Sequence, residues 1–395
     1  MNSVPAPRLY SAAFLAMAAA NFSAAASFGV FFLFPLLIEQ YGGSKFDIGL
    51  IMGVFALAAT LCRPWVAQII DRLGRKHSYT LGSLLLTLLP WVYLLPVRDL
   101  ATVYPFLLVL RIVHGIGLAF CFTACFTYVA DIVPAQRLNE GIGMFGISGL
   151  IGLAVGPLVG ELALQRWSEP AFFLSASALA AIGLVCHLPL RETLVRTDKG
   201  SLTPFLAVLK RPKMIRIGLL SMLFGFGLAG SGNFVAPLAA ERLIALASLY
   251  FFCYSSAAIL IRVLGGRLTD RFGERRVLPY ALLLTGAGLL LLPLVRGQWD
   301  LALVGFMGGC GHGILYPALN SWAVRDEPPL IRGKVTAIYT GALDAGNFSG
   351  SLLLGMIGQW LGLSVLFLAA GGSLWLGLLL LGRNADKLPK PAQGR

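Results

Sequence analysis

The stretch Leu61-Cys62-Arg63-Pro64-Trp65-Val66-Ala67-Gln68-Ile69-Ile70-Asp71-Arg72-Leu73-Gly74 returns 199 residues later as Leu260-Ile261-Arg262-Val263-Leu264-Gly265-Gly266-Arg267-Leu268-Thr269-Asp270-Arg271-Phe272-Gly273. In each copy one arginine interrupts an apolar run eight residues before an Asp-Arg-x-Gly turn, and more positive charge follows, at Arg75 and Lys76 or Arg275 and Arg276. The match extends both ways. Pro35-Leu36-Leu37-Ile38-Glu39 resembles Pro237-Leu238-Ala239-Ala240-Glu241, and Asp131-Ile132-Val133-Pro134 with Arg137 parallels Asp326-Glu327-Pro328-Pro329 with Arg332. Three matches in one order imply two parallel repeats, which in a membrane protein are related by an axis along the bilayer normal.

Composition supplies the membrane. Of 395 residues, 57% are hydrophobic and 12% charged, the latter about half of the roughly 25% usual for soluble domains. A compact soluble fold leaves too much surface in water to hide that share, and disorder requires low hydrophobicity, so a soluble enzyme and a disordered chain are both excluded. Apolar runs of the ~20 residues a spanning helix needs lie near 11–38, 47–70, 77–97, 103–130, 140–162, 170–190, 215–240, 247–268, 277–296, 301–324, 335–360 and 363–382. The expected fold is an all-α membrane protein of twelve transmembrane helices, because the runs lack the ten-residue alternation of barrel strands. The first run is far longer than a signal-peptide core of about 7–15 residues and is expected to stay.

With the N-terminus in the cytoplasm, that side holds 23 of the lysines and arginines and the opposite side five, while Arg63, Arg111 and Arg262 fall inside spans. Such asymmetry places both termini in the cytoplasm and accounts for the net charge of +13 without nucleic acid. The basic segment 191–214 reads as a linker between an N-terminal six-helix bundle, 1–190, and a C-terminal one, 215–395. The six cysteines sit in apolar runs without metal-ligand spacing and read as small buried hydrophobes. No metal or cofactor is expected, and the lack of a GxxxxGK[ST] loop speaks against ATP as the driving force.

These features resemble the major facilitator superfamily over nearly the whole chain. Its loop pattern Gly-x-Leu-x-Asp-Arg-x-Gly-Arg-Lys/Arg appears at 67–76 with Ala67 in place of the first glycine, and the second copy keeps that glycine at Gly266. The resemblance implies two pseudo-symmetric bundles rocking about a central site. It also implies gating roles for Asp71, Arg72, Arg75, Asp131, Asp270, Arg271 and Arg275, whose contacts form in one conformation and break in the other. A helix-end carboxylate can face a neighbouring helix N-terminus or pair with arginine; solvated charge that merely signals topology is the alternative. The fourth run, Arg111-Ile112-Val113-His114-Gly115-Ile116-Gly117, resembles the family's Arg followed by Gly-x-Gly. An intramembrane arginine faces a cavity or a partner, and the resemblance implies that Arg111 tunes a nearby acid; bonding to backbone carbonyls is the other reading. The fifth run, with Gly149, Gly152, Gly156, Pro157 and Gly160, resembles the antiporter motif Gly-x-x-x-Gly-Pro-x-x-Gly, although Glu161 replaces its last glycine. Small residues at that spacing make a close-packing face, expected here between the halves.

Candidate chemistry lies deeper. Asp344 is the only carboxylate far inside a run, about ten residues from its inner end, or ~15 Å at 1.5 Å per residue. Thr340, Asn347 and Ser351 share its face. A desolvated carboxylate can carry a proton, so Asp344 is the expected proton-coupling site. His312, with Tyr316 and Asn320 on one face of the tenth run, lies level with it and is a second proton candidate. Arg63 and Arg262 occupy equivalent places and, facing each other, would bind a carboxylate or phosphate. Monocarboxylate transporters of the same superfamily resemble this chain at Arg262 and at Arg63-Pro64, but Ala258 stands where they have an aspartate. By family analogy Asn21, Ser27, Phe31, Ser231, Asn233, Phe234 and Tyr316 line the cavity. The resulting expectation is a monomeric, non-enzymatic transporter in a bacterial inner membrane, exporting a small organic solute by proton antiport. Organic-anion symport or uniport through the arginine pair, and a lipid flippase, are the alternatives.

Overall fold

The computed structural model describes residues 9–94, 100–134, 137–194, 205–325 and 327–382, apart from the side chains at 139, 265–271, 329–330 and 333. Twelve helical spans are present among them. They are α1 (Ala12–Gln40, through a 3-10 turn), α2 (Lys45–Leu73), α3 (Arg75–Val92), α4 (Leu100–Ile132), α5 (Leu138–Arg166), α6 (Glu169–His187), α7 (Pro212–Glu241), α8 (Ser248–Phe272), α9 (Glu274–Leu290) and α10 (Gln298–Val324), then α11 and α12. The last two share the continuous stretch Pro329–Gly382, which Gly362 breaks with a left-handed φ of 86°. A short helix, Phe205–Leu209, lies between α6 and α7. Most of these spans are long and apolar enough to cross a bilayer, and the chain is an integral membrane protein.

Local chemistry sets the helix ends. Ser11 caps α1 by accepting the Phe14 N–H, and Ser44 with Asp47 forms a reciprocal capping box on α2. The repeated Asp-Arg-x-Gly turn has a physical cause: Gly74 and Gly273 adopt φ of 104° and 79°, a region costly for any residue with a Cβ. The turn therefore reverses α2 into α3 and α8 into α9 in the same way.

Within each half the pairings repeat. α1 packs on α5 and α6, α2 and α3 on α4, and α3 on α6; α7 packs on α11 and α12, α8 and α9 on α10, and α9 on α12. The halves meet along two seams, α2 against α11 and α5 against α8. The glycine stripe of α5 lies elsewhere than the sequence suggests. A Cβ at Gly152 or Gly156 would strike the backbone of Phe22, Ala26 and Gly29, and one at Gly160 would press on Val30 and Phe172. That face packs on α1 and α6 of its own half, because α1 is rich in alanine there and admits close approach. Gly115 likewise meets the Phe55 backbone on α2, and Gly117 meets Leu85 on α3.

Candidate functional site

The α2–α11 seam is narrow because Gly49 and Gly53 lie against Ser351 and Phe348. Farther along it, Arg63 Nη2 of α2 sits 2.5 Å from Asp344 Oδ2 of α11, with side-chain exposures of 35% and 18%. The contact is an ion pair without hydrogen-bond alignment, and Asp344 Oδ2 and Arg63 Nε lack hydrogen-bond partners. Arg63 is thus held by an acid of the other half. Arg262 sits over the Tyr316 ring, 5.4 Å from its centroid. Its Nη1 approaches Gly146 of α5, 3.4 Å from where a Cβ would stand, and its buried Nε is unpartnered. Each arginine therefore reaches across a seam, and among the described residues only Arg63 meets a carboxylate.

Around Arg262 the C-terminal half presents a polar aromatic wall. His312 Nδ1 pairs with the Tyr254 hydroxyl at 2.7 Å, Tyr316 stacks on His312 with centroids 6.0 Å apart, and the Tyr339 hydroxyl donates to the Tyr316 carbonyl at 3.1 Å. Asn320 Oδ1 is buried without a partner. His312 and Asp344 are not brought together: the histidine is committed to Tyr254 and the acid to Arg63. Tyr254 was not singled out in the sequence, although it stands 199 residues after Phe55.

Four other expectations are corrected. Asn21 donates to the Ser148 hydroxyl at 2.9 Å and Asn233 to the Ser351 hydroxyl at 2.7 Å. Both amides brace equivalent helix pairs, α1–α5 and α7–α11, and are almost fully buried. Phe31 is buried in a cluster with Phe34, Tyr93, Phe172 and Phe173. Arg111 is fully buried, and its contacts include the Ile51 carbonyl at 3.3 Å, the Met52 sulfur, the Tyr93 hydroxyl and the faces of Phe31, Phe34 and Phe55. No described carboxylate pairs with it. Cation–π attraction, up to about 2 kcal/mol when desolvated, replaces the expected acid. The adjoining His114 is 3.4 Å from the Tyr93 hydroxyl.

At the basic side, Asp131 accepts from Arg75 Nε at 2.9 Å and from the Thr193 hydroxyl at 2.8 Å. Asp71 is 72% exposed and 3.6 Å from Arg75 Nη1, and Arg72 is exposed. Ala67 is exposed as well, so the position that lost its glycine makes no close helix contact. The unexpected member is Glu192, which accepts the N–H groups of Arg75 (2.8 Å) and Lys76 (3.0 Å) at the start of α3. Burial alone would raise its pKa, but these donors and the Thr193 and Leu194 amides hold it below the ordinary glutamate value. In the second half Glu274 accepts from Arg325 at 2.5 Å and Ser321 at 2.6 Å, Arg275 lies over Trp322, and Glu327 pairs with Arg211 at 2.7 Å. The side chains of Asp270 and Arg271 lie outside the described residues.

Twelve helices in two repeated bundles, with charged side chains bridging the seams at depth, define a membrane transport protein. The Major Facilitator Superfamily profile matches residues 16–246 and 233–395, and the chain belongs to that family. It is 26% identical over 354 residues to the multidrug resistance protein MdtG of Salmonella choleraesuis (strain SC-B67), covering 86% of each chain, and is matched equally by the Salmonella typhi protein of that name. Its fold is similar to the nucleoside transporter NupG (TM-score 0.73, 15% identity, 94% and 100% covered). It is also similar to the human organic anion transporter MFSD10 (0.71, 20%, 94% and 99%) and to a partially occluded inward-open form of the xylose transporter XylE from E. coli (0.75, 14%, 95% and 97%).

Proposed function

We propose that this transporter exports a small organic solute in exchange for protons. Residues 1–190 and 215–395 act as the two rocking bundles, joined by the linker 191–214. The basic side faces the cytoplasm of a bacterial cell and the protein works as a monomer. The observation that carries the reading is the Arg63–Asp344 pair across the α2–α11 seam. As a carboxylate, Asp344 ties the halves together at depth. Protonation removes its charge, the attraction collapses, and Arg63 is released. A ligand or proton shifts such an equilibrium only through differential interaction with its two states, and this bridge exists in one of them. The similarity to multidrug resistance proteins supports the direction of export.

One observation favours a second reading. Arg262 has a cation–π contact but no carboxylate among its described contacts, so an anionic group on the solute would find a vacant guanidinium. Proteoliposomes separate the alternatives. Under an imposed pH gradient, wild-type protein should drive uptake or release of tetraphenylphosphonium, and Asp344→Asn should not. Gradient-driven transport by Asp344→Asn equal to wild type would overturn the coupling role. Stabilisation by benzoate that is lost in Arg262→Ala would favour the organic-anion reading; a ligand at about 100 times its Kd adds roughly 2.7 kcal/mol.

A further inference from the structure

The side of the molecule opposite the basic loops carries a different kind of tie. Glu161, at the far end of α5, stands where the family motif has glycine, and its carboxylate is buried with 7% exposure. Its Oε1 accepts the Ala247 N–H at 2.8 Å, and its Oε2 accepts the Ser248 N–H at 3.1 Å and the Ser248 hydroxyl. No cation is among these partners. One turn farther along α5, Gln165 Nε2 donates to the Ala245 carbonyl at 2.9 Å. All of these bonds cross the α5–α8 seam, from one half to the other.

The sequence of α8 explains why the carboxylate is needed. A helix begins with N–H groups that have no intrahelical acceptor. α2 satisfies its own with Ser44 and Asp47. α8 has no acidic residue in its first turn, so its leading amides are capped by Glu161 from the other bundle. The equivalent seam repeats the design in weaker form: Gln359 of α11 accepts the N–H of Lys45, the first residue of α2, through a single exposed bond of 3.1 Å. Both seams are thus closed at the same end by an oxygen of α5 or α11 set on the first turn of α8 or α2. The α2 end keeps its own Ser44 and Asp47 caps when the seam opens and loses only the Lys45 bond. The α8 end loses all three bonds at once.

We infer that Glu161 is a latch of the transport cycle: its bonds to Ala247 and Ser248 hold the far side closed, and they must break for the solute path to open there. The role is independent of the coupling ion and of the solute. The test is a double electron–electron resonance measurement on the full-length protein in nanodiscs, with spin labels at Trp167→Cys and Trp299→Cys in a background lacking the six native cysteines. Glu161→Ala should raise the ratio of long to short far-side distances by roughly tenfold, the change that about 1.4 kcal/mol represents. Ser248→Ala, which keeps both amide bonds, should move it the same way by less, and Gln359→Ala by the least. A folded Glu161→Ala protein with lower thermal stability but an unchanged distance distribution would make the residue a plain structural cap and overturn the inference. If Glu161→Ala does not fold, an unchanged distribution in Ser248→Ala has the same force.

Discussion

His114 in α4 and His312 in α10 stand 198 residues apart, each followed by Gly-Ile, yet the two halves use them differently. In the N-terminal half, His114 faces Phe55 and Phe31, its Nε2 is buried without a partner, and the neighbouring cation, Arg111, is sealed among phenyl rings. In the C-terminal half, the residue matching Phe55 is Tyr254, its hydroxyl engages His312, and the neighbouring cation, Arg262, is only partly buried. A tyrosine in place of Phe55, bonded to the histidine at 2.7 Å where Tyr93 stands 3.4 Å from His114, and a less enclosed cation separate the two clusters. The repeated fold thus places a histidine, an aromatic ring and a cation near one another in each half, in different surroundings. α5 shows the same asymmetry: it carries no acid between Glu140 and Glu161, whereas α11 carries Asp344.

The largest break in this asymmetry is Asp344→Asn, expected to abolish coupling to a pH gradient while leaving the fold intact, as read by gradient-driven flux and by thermal unfolding. Arg63→Ala comes next. It leaves Asp344 without its cation, a loss worth about 3–5 kcal/mol for a fully buried pair and less here because Arg63 is about a third exposed. Its flux should fall and its pH profile flatten, and a profile identical to wild type would break the assignment of the bridge. Arg111→Met should do the opposite. An apolar side chain of similar length removes the cost of a buried charge along with its cation–π contacts, so unfolding should change little and pH coupling not at all. Tyr254→Phe, which makes the C-terminal wall resemble the N-terminal one, should cost about 1 kcal/mol from one lost hydrogen bond and weaken solute binding several-fold. Smallest is the cap of α3. Because the folded pKa of Glu192 is depressed, its contribution is present above the ordinary glutamate value near 4.3 and is lost as pH falls through the lower folded value. Glu192→Ala should cost about 1 kcal/mol at neutral pH and progressively less as the pH falls through the folded value.

Much of this was legible in the chain. The duplicated Asp-Arg-x-Gly turn gave the repeat, because only glycine accepts the left-handed φ that both turns require. Asp344 stood out because a carboxylate in an apolar run has no cheap resting place. Arg63 and Arg262 were legible as residues but not as different residues, since their matching places say nothing of which one an acid approaches. Asn21, Asn233 and Phe31 were misread for a related reason: amides and rings that brace helices occur at the same spacing as those lining a cavity. The bonds of Glu161 and Glu192 were not legible, because their partners are largely backbone amides, which no sequence displays.

The sequence by itself determined that this chain crosses the membrane twelve times, that its halves are copies, and that a few charges lie at lipid depth. Those properties follow from hydropathy, loop charge and glycine stereochemistry, all of which act locally along the chain. The tertiary structure alone decided that Arg63 meets Asp344, that Arg111 is walled in by rings, and that Glu161 caps a helix of the opposite half. Each depends on contacts between residues far apart in the chain, set by how the bundles pack along two seams.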